Sequence, residues 1–274
     1  NNSIKEPLDR DHSQLRQKSL KDGDPMTVVL YGIDDDAQRH QENLGQRSDS
    51  IVLMSINPKD NKTVMVSVPR DTKTEIVGHN STEKLNHAYA YGGPKMAVNS
   101  LEKLMDVPVD HYIAINMDGV KTVVDEIGGV DIVSDATFKF HNYQFEKGKK
   151  YHMDGDQALT YMRSRKEEGA GGDGGRQLRQ QQVITAVAKE AFSMNSVTKL
   201  NGIFKAAQDN LRTDLSFIEL NKFKSDYNKA DDNVERLTIN GQDAVGDDGL
   251  YYFYPNKDSL NEVKQKLKDN LELK

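Results

Sequence analysis

Three apolar runs close together near the start of the chain restrict its fold more than any other feature. Residues 28–33, 50–56 and 63–68 are short, rich in β-branched side chains and bounded by Asp, Asn or Pro. Runs of that length without polar alternation read as strands buried on both faces. The turn Asn57-Pro58-Lys59-Asp60-Asn61 makes the second and third a hairpin. Helical patterns then interleave with further strands. Pro94 opens a helix through Met105, with Met96, Ala97, Leu101, Leu104 and Met105 on one stripe and the proline where a missing N–H costs least. A strand at 112–115, a helix at 119–127 stopped by Gly128-Gly129 and a strand at 130–133 follow. Beyond a hairpin around 142–149, the pattern predicts helices at 155–162, 176–192, 197–208 and 217–227, strands at 234–239 and 250–254, and a final amphipathic helix from residue 258. Such alternation predicts an α/β domain with a mixed central sheet and helices on both sides.

A chain of 274 residues buries roughly 70–75% of its unfolded surface, enough for one large domain over 26–274. Residues 1–25 are polar, carry Pro7 and the turn Lys21-Asp22-Gly23-Asp24-Pro25, and read as a stalk or linker. The absence of cysteine excludes a disulfide framework, a thiolate nucleophile and Cys-ligated metal. A formal charge of −6 argues against a general nucleic-acid binder, which needs a basic face for phosphate neutralisation. No apolar run approaches the roughly 18 residues of a membrane span. The sequence opens on Asn1-Asn2-Ser3 with no initiator Met, so an upstream segment carrying a signal or anchor is expected.

The arginines carry the chemistry. Of eleven, four (Arg163, Arg165, Arg176, Arg179) fall within seventeen residues, in a chain that otherwise uses lysine, with 26. Arginine's planar fork of five permanent donors suits bidentate phosphate recognition. Arg176 and Arg179 lie seven and four residues before Val183, on the apolar stripe of their helix rather than opposite it. Two inward guanidiniums in a first turn oppose the helix dipole. A bound anion resolves the conflict, because a helix N-terminus after a glycine-rich loop offers free N–H groups to phosphate. An ion pair with buried carboxylates is the alternative. The literal G-x-G-x-x-G at 169–174 follows Arg165-Lys166-Glu167-Glu168 and no strand, so it is not a dinucleotide fingerprint.

A second constellation gathers at the strand ends. Gly32-Ile33-Asp34 closes the first strand, Arg47-Ser48-Asp49-Ser50 begins the second and Pro69-Arg70-Asp71-Thr72 ends the third. With the second and third paired as a hairpin, and the first running parallel to the third, all three lie at one sheet edge. Asp34 and Asp49 would then converge with Arg47 and Arg70, a donor set that fits magnesium plus phosphate. Asp35 and Asp36 read as solvated loop acids. The seven histidines show no zinc spacing, and His87 and His111 read as structural. No G-x-S-x-G appears. Met96, Met105, Tyr89 and Tyr91 read as core.

Taken in order, these motifs resemble those of the LytR-CpsA-Psr family of cell-wall glycopolymer transferases. The resemblance runs from Val28 to Val187 and includes Gly32-Ile33-Asp34, Arg47-Ser48-Asp49-Ser50, Val68-Pro69-Arg70-Asp71-Thr72, Lys84-Leu85-Asn86-His87-Ala88-Tyr89-Ala90-Tyr91-Gly92-Gly93, Val109-Asp110-His111-Tyr112, Gly128-Gly129-Val130, Tyr161-Met162-Arg163-Ser164-Arg165 and Asp173-Gly174-Gly175-Arg176-Gln177-Leu178-Arg179-Gln180. Residues 195–274 carry little of it. It implies a phosphotransferase of the cell envelope of a Gram-positive-type bacterium, on the outer face of the cytoplasmic membrane and held by an N-terminal membrane helix that this sequence lacks. It implies transfer of an anionic glycopolymer, of wall teichoic acid or capsule type, from a polyprenyl-pyrophosphate carrier to a peptidoglycan hydroxyl, without nucleic acid as a partner. By position, Asp34 and Asp49 resemble the family's Mg²⁺ site, and Arg47, Arg70, Arg163, Arg165, Arg176 and Arg179 its pyrophosphate-binding arginines. Asp49, Arg70 and Asp71 are the expected catalytic group, with Asp49 or Asp71 taking the hydroxyl proton. The lipid tail requires an apolar tunnel between the sheet and helices near 97–127 and 183–208. Competing readings are a polyprenyl-pyrophosphate hydrolase and a non-catalytic regulator that binds anionic lipid or polymer.

Overall fold

The computed structural model describes residues 4–34, 45–193, 197–227 and 233–273. Its central sheet has the order β11 (Leu211–Thr213), β6 (His111–Asn116), β1 (Met26–Asp34), β2 (Arg47–Asn57), β3 (Lys62–Ser67), β12 (Val234–Thr238). The predicted hairpin is present as β2–β3, closed between Asn57 and Lys62. β1 is antiparallel to β2 and therefore parallel to β3, as convergence of the three strand ends requires. β6 runs parallel to β1, β12 parallel to β3 and β11 antiparallel to β6, so the sheet is mixed.

Both faces are covered, which is why the strands read as unbroken apolar runs. Met26, Val28 and Leu30 of β1 pack with α2 (Val120–Glu126), α3 (Gly155–Arg163), α4 (Gly172–Ser193), α5 (Val197–Ala207) and α6 (Phe217–Tyr227). Val29, Tyr31 and Ile33 pack with α1 (His87–Met105) and α7 (Lys257–Asn270). Four two-stranded sheets are peripheral: β4 (Lys73–Ile76) with β5 (Ser81–Lys84), β7 (Val130–Val133) with β10 (Lys150–Met153), β8 (Phe138–Phe140) with β9 (Tyr143–Phe145), and β13 (Gly241–Val245) with β14 (Tyr251–Pro255).

Three local readings need correction. The helix expected from Pro94 begins about two turns earlier, at His87, and kinks at Gly92 and at Gly93 (φ 64°) before Pro94 restarts it. Only the second segment carries the stripe and proline signal. β11 and the β4–β5 hairpin escape prediction because three to four residues are too few to show a period. The described part of the predicted stalk lies against the body: Ile4 and Leu8 are buried, Arg10 pairs with Glu102 at 3.0 Å and Arg16 with Asp110 at 2.6 Å. Its anchors are ion pairs and isolated apolar residues, which leave no periodic trace. Among the described residues no helix is long and apolar enough to cross a membrane.

Candidate functional site

The sheet edge where β1 ends and β2 begins contains an irregularity. Gly32 pairs with Ser50 and Ile33 with Ser48, leaving Asp49 as the extra residue of a β-bulge. A bulge re-aims the side chain it carries. Asp49 is 8% exposed and bonds Arg70 at 3.1 Å, Oδ1 to Nη1. Asp34 sits opposite Arg47 across the same strand pair. Arg70 follows β3 and also faces Asp71, Nε to Oδ2 at 3.8 Å, while Lys84 holds the other oxygen of Asp71 at 3.4 Å. The three strand ends share one edge, as inferred from topology, and Asp49 and Arg70 meet there.

The glycine-rich loop brings α4 onto this edge. Asp173, in the first turn of α4, forms ion pairs with Arg165 at 2.9 Å and Arg176 at 3.0 Å, with Arg70 Nη2 at 4.0 Å. Three guanidiniums from the end of β3, the end of α3 and the start of α4 therefore surround one carboxylate, itself 45% exposed. A phosphate oxygen of a ligand has the charge and acceptor geometry to take its place. Arg163 is exposed in the last turn of α3, two residues from Arg165.

Arg179 departs from its expected role. Its side chain is fully buried (0% exposed), pairs with Asp135 at 3.2 Å, and donates to the carbonyls of Ser164 (3.1 Å) and Ala170 (2.6 Å). Phe138 stacks on it, 4.8 Å from guanidinium carbon to ring centroid. The alternative reading, an ion pair with a buried carboxylate, holds here, and Arg179 ties the glycine loop to α3. Gly175 permits this, since a Cβ there would lie 2.0 Å from the Ala170 carbonyl oxygen.

Several buried polar atoms at this edge lack a hydrogen-bond partner: Ser48 Oγ, Ser50 Oγ, Arg70 Nε, Asn86 Oδ1, Arg176 Nε and Gln180 Oε1. Folded proteins rarely leave such groups unmatched, and a gathering of them marks where something else binds. Asn86 belongs here because its N–H bonds the Arg70 carbonyl at 3.1 Å. Ser48, Ser50, Asn86 and Gln180 were missed as site residues. The serines flank Asp49, and Gln180 follows Arg176 by four residues, one turn along the same helix face; those spacings were the available signals.

Below the edge lies an apolar cavity of about 90 Å³, lined by Leu30, Ile115, Val123, Ile184, Val187 and Ile203 among others. It adjoins the polar edge directly: a Cβ on Gly32 would lie 2.5 Å from Ile184 and 3.0 Å from the Ser50 Cβ. The tunnel expectation is met on the 183–208 side. The 97–105 part of the expectation fails because α1 covers the opposite face, and α6 takes its place through Leu220, Asn221 and Lys224. Burial in these surroundings lowers the Lys224 pKa.

Among the described residues no three His, Asp, Glu or Cys side chains gather as a metal site. Two carboxylates on adjacent strands, beside the unmatched Ser48 and Ser50 hydroxyls, nevertheless fit Mg²⁺, which takes one or two carboxylates and draws its remaining oxygens from phosphate and water. The histidines follow their structural reading. His87 bonds Glu83 at 3.0 Å and His111 bonds Asp214 at 2.7 Å. Burial works against the Glu83 carboxylate, but bonds from Ser81, Tyr91 and His87 outweigh it and hold its pKa at about 2. Tyr91, expected in the core, is 45% exposed and stacks on His79 at 3.9 Å.

Comparison with known proteins bears on the whole chain. A family model described as the LytR_cpsA_psr family matches residues 1–269. The chain is 38% identical over 271 residues to the polyisoprenyl-teichoic acid–peptidoglycan teichoic acid transferase TagU of Halalkalibacterium halodurans, covering 98% of this chain and 87% of that protein. Among solved structures, Bacillus subtilis TagU superposes with a TM-score of 0.73 at 35% identity, over 92% of this chain and 98% of that one. A structure of TagT bound to LI-WTA gives 0.75 at 30% identity, over 96% and 98%.

Proposed function

The chain belongs to the LytR-CpsA-Psr family, and from that premise we propose that it is a transferase moving an anionic glycopolymer, of teichoic acid type, from a polyprenyl-pyrophosphate carrier to a peptidoglycan hydroxyl in the cell envelope. One observation carries this reading: Arg70, Arg165 and Arg176 converge on a single anionic position directly above an apolar cavity. That pairing suits a pyrophosphate attached to a long hydrocarbon. The relatives' names, and the neighbour solved with LI-WTA, support the same substrate class.

Phosphoryl transfer asks a protein mainly for positioning and charge neutralisation. Arg70, Arg165 and Arg176 bind the phosphate oxygens as Asp173 withdraws, with Arg47 and Arg163 completing the basic rim. Gln180 and Asn86 supply amide groups to the same ligand. A peptidoglycan hydroxyl oxygen forms a bond to the polymer-linked phosphorus. The bond from that phosphorus to the bridging oxygen breaks, and polyprenyl phosphate leaves with the electron pair. The hydroxyl proton goes to Asp71, which is more exposed than Asp49, 27% against 9% by side chain. Asp34 and Asp49 would hold Mg²⁺, which supplies further neutralisation of phosphate charge when bound.

Water in place of the sugar hydroxyl would make the same site a hydrolase. The deciding experiment incubates a polyprenyl-pyrophosphate-linked saccharide with peptidoglycan oligomers, with and without Mg²⁺. Saccharide plus phosphate on the oligomer, lost in Arg70→Ala, supports the transferase; free phosphosaccharide alone replaces it with the hydrolase.

A further inference from the structure

The two faces of β1 end in cavities of opposite character. Leu30 and Ile115 line the apolar cavity on the α4 side. Ile33, Ala114 and Asn116, at the ends of the parallel strands β1 and β6, line a second cavity of about 280 Å³ on the α1 side. Its wall is polar, formed by Glu6, Tyr89, Asn116, Asp209, Asn210 and Arg212. Ile33 and Gln46 line it, and each is followed in sequence by a residue of the phosphate edge, Asp34 and Arg47.

The lining defines what fits. Tyr89 is only 6% exposed and lines the cavity. Glu6 faces it closely enough that burial first, and the Glu6 charge second, raise the tyrosine's pKa. The Asn210 amide is held in position by the missing side chain of Gly119, where a Cβ would lie 2.3 Å from Asn210 Cγ. Arg212 spends Nη1 on the carbonyls of Gln208 (2.9 Å) and Leu211 (2.7 Å). Two carboxylates repel a second phosphate, and the one guanidinium is engaged by backbone. What remains, amides and a phenol that both donate and accept, matches a neutral ligand rich in hydroxyls.

We propose that this α1-side cavity is the acceptor subsite, binding a neutral saccharide unit of the glycan whose hydroxyl attacks. The inference rests on the transferase reading and extends it. In-line displacement sets the attacking and leaving oxygens on opposite sides of phosphorus. With the polyprenyl tail in the α4-side cavity, the leaving oxygen points below the sheet edge, and the attacking hydroxyl comes over the edge from the α1 side.

The test titrates a soluble peptidoglycan tetrasaccharide into the wild-type chain and into Tyr89→Phe and Asn210→Ala, following amide chemical shifts, then measures transfer kinetics for all three. Thermal midpoints confirm that both variants fold. The expected result is binding by the wild type with shifts at residues lining this cavity. In both variants affinity falls and acceptor KM rises at least tenfold, with donor KM changed less than twofold. The proposal is overturned if the wild type does not bind the tetrasaccharide, or if both variants bind and transfer with the wild-type acceptor KM. If the tetrasaccharide binds through Tyr89 and Asn210 but no transfer occurs, the cavity stands as a saccharide site, while the transferase reading falls and the acceptor role with it. Transfer with unaltered acceptor KM in both variants has the opposite meaning.

Discussion

Two arginines three positions apart in one helix turn have different duties, and single substitutions separate them. Arg176 is 25% exposed by side chain and faces Asp173, whereas Arg179 is sealed against Asp135, Phe138 and two carbonyls. Losing one partner of a buried pair costs about 3–5 kcal/mol. Arg179→Ala is therefore expected to lower folding stability by about that much, read by chemical denaturation. Arg176→Ala should leave the denaturation midpoint near wild type and cut donor affinity at least tenfold, since a hydrogen bond to a charged group contributes about 1.5–3 kcal/mol. Equal effects of both variants on stability would refute the division. Asp173 competes with the ligand's phosphate for Arg70, Arg165 and Arg176. Asp173→Asn removes that competing charge and should tighten binding of inorganic pyrophosphate several-fold in a calorimetric titration; weaker binding would instead make the carboxylate part of the ligand site. Sequence position placed both arginines inward, but only the contacts distinguish a solvated cradle from a buried tie.

Elements decide where the lipid goes. α4 and α5 face β1 and β6 across the apolar cavity, with Ile184, Val187 and Ile203 projecting into it. Val187→Trp fills part of that space without touching the arginines. It should weaken binding of a long polyprenyl pyrophosphate while leaving inorganic pyrophosphate affinity unchanged, and equal loss for both ligands would argue against the cavity as tail site. The helices themselves were legible, because stripes such as Val183, Ile184, Val187, Ala188 and Ala191 repeat over about two turns or more. The face each helix covers was not. α1 and α4 both carry ordinary amphipathic stripes, and nothing local states that they cover opposite faces of β1.

At the scale of the molecule, the N-terminal segment, β6, β11 and α6 are held together partly by charge. His111 in β6 bonds Asp214 beyond β11. Burial disfavours the charged imidazole, but the Asp214 bond and the nearby carboxylates of Asp110 and Glu219 outweigh it, so its pKa rises above 6.5. A raised folded-state value means the stabilisation is complete below the unfolded pKa and fades as pH climbs through the folded one. The stability gap between wild type and His111→Gln should thus be largest near about pH 6 and shrink towards about pH 9; a gap that grows with pH would contradict the pairing. What the sequence settled by itself was whatever depends on near neighbours: the buried strands, the β2–β3 hairpin, most helices, and the Asp49, Arg70 and Arg165 motifs, whose side chains meet at the edge directly or through Asp173. Tertiary structure alone decided matters that turn on contacts between distant segments. Arg179 met Asp135, 44 positions away, rather than a ligand. The predicted stalk met Glu102 and Asp110 and lay down on the body. Gln180 and the serines beside Asp49 became site residues only because three strand ends and one helix start closed around them. Local periodicity records which face of an element is apolar; which partner satisfies a charge is fixed only when the chain has folded back on itself.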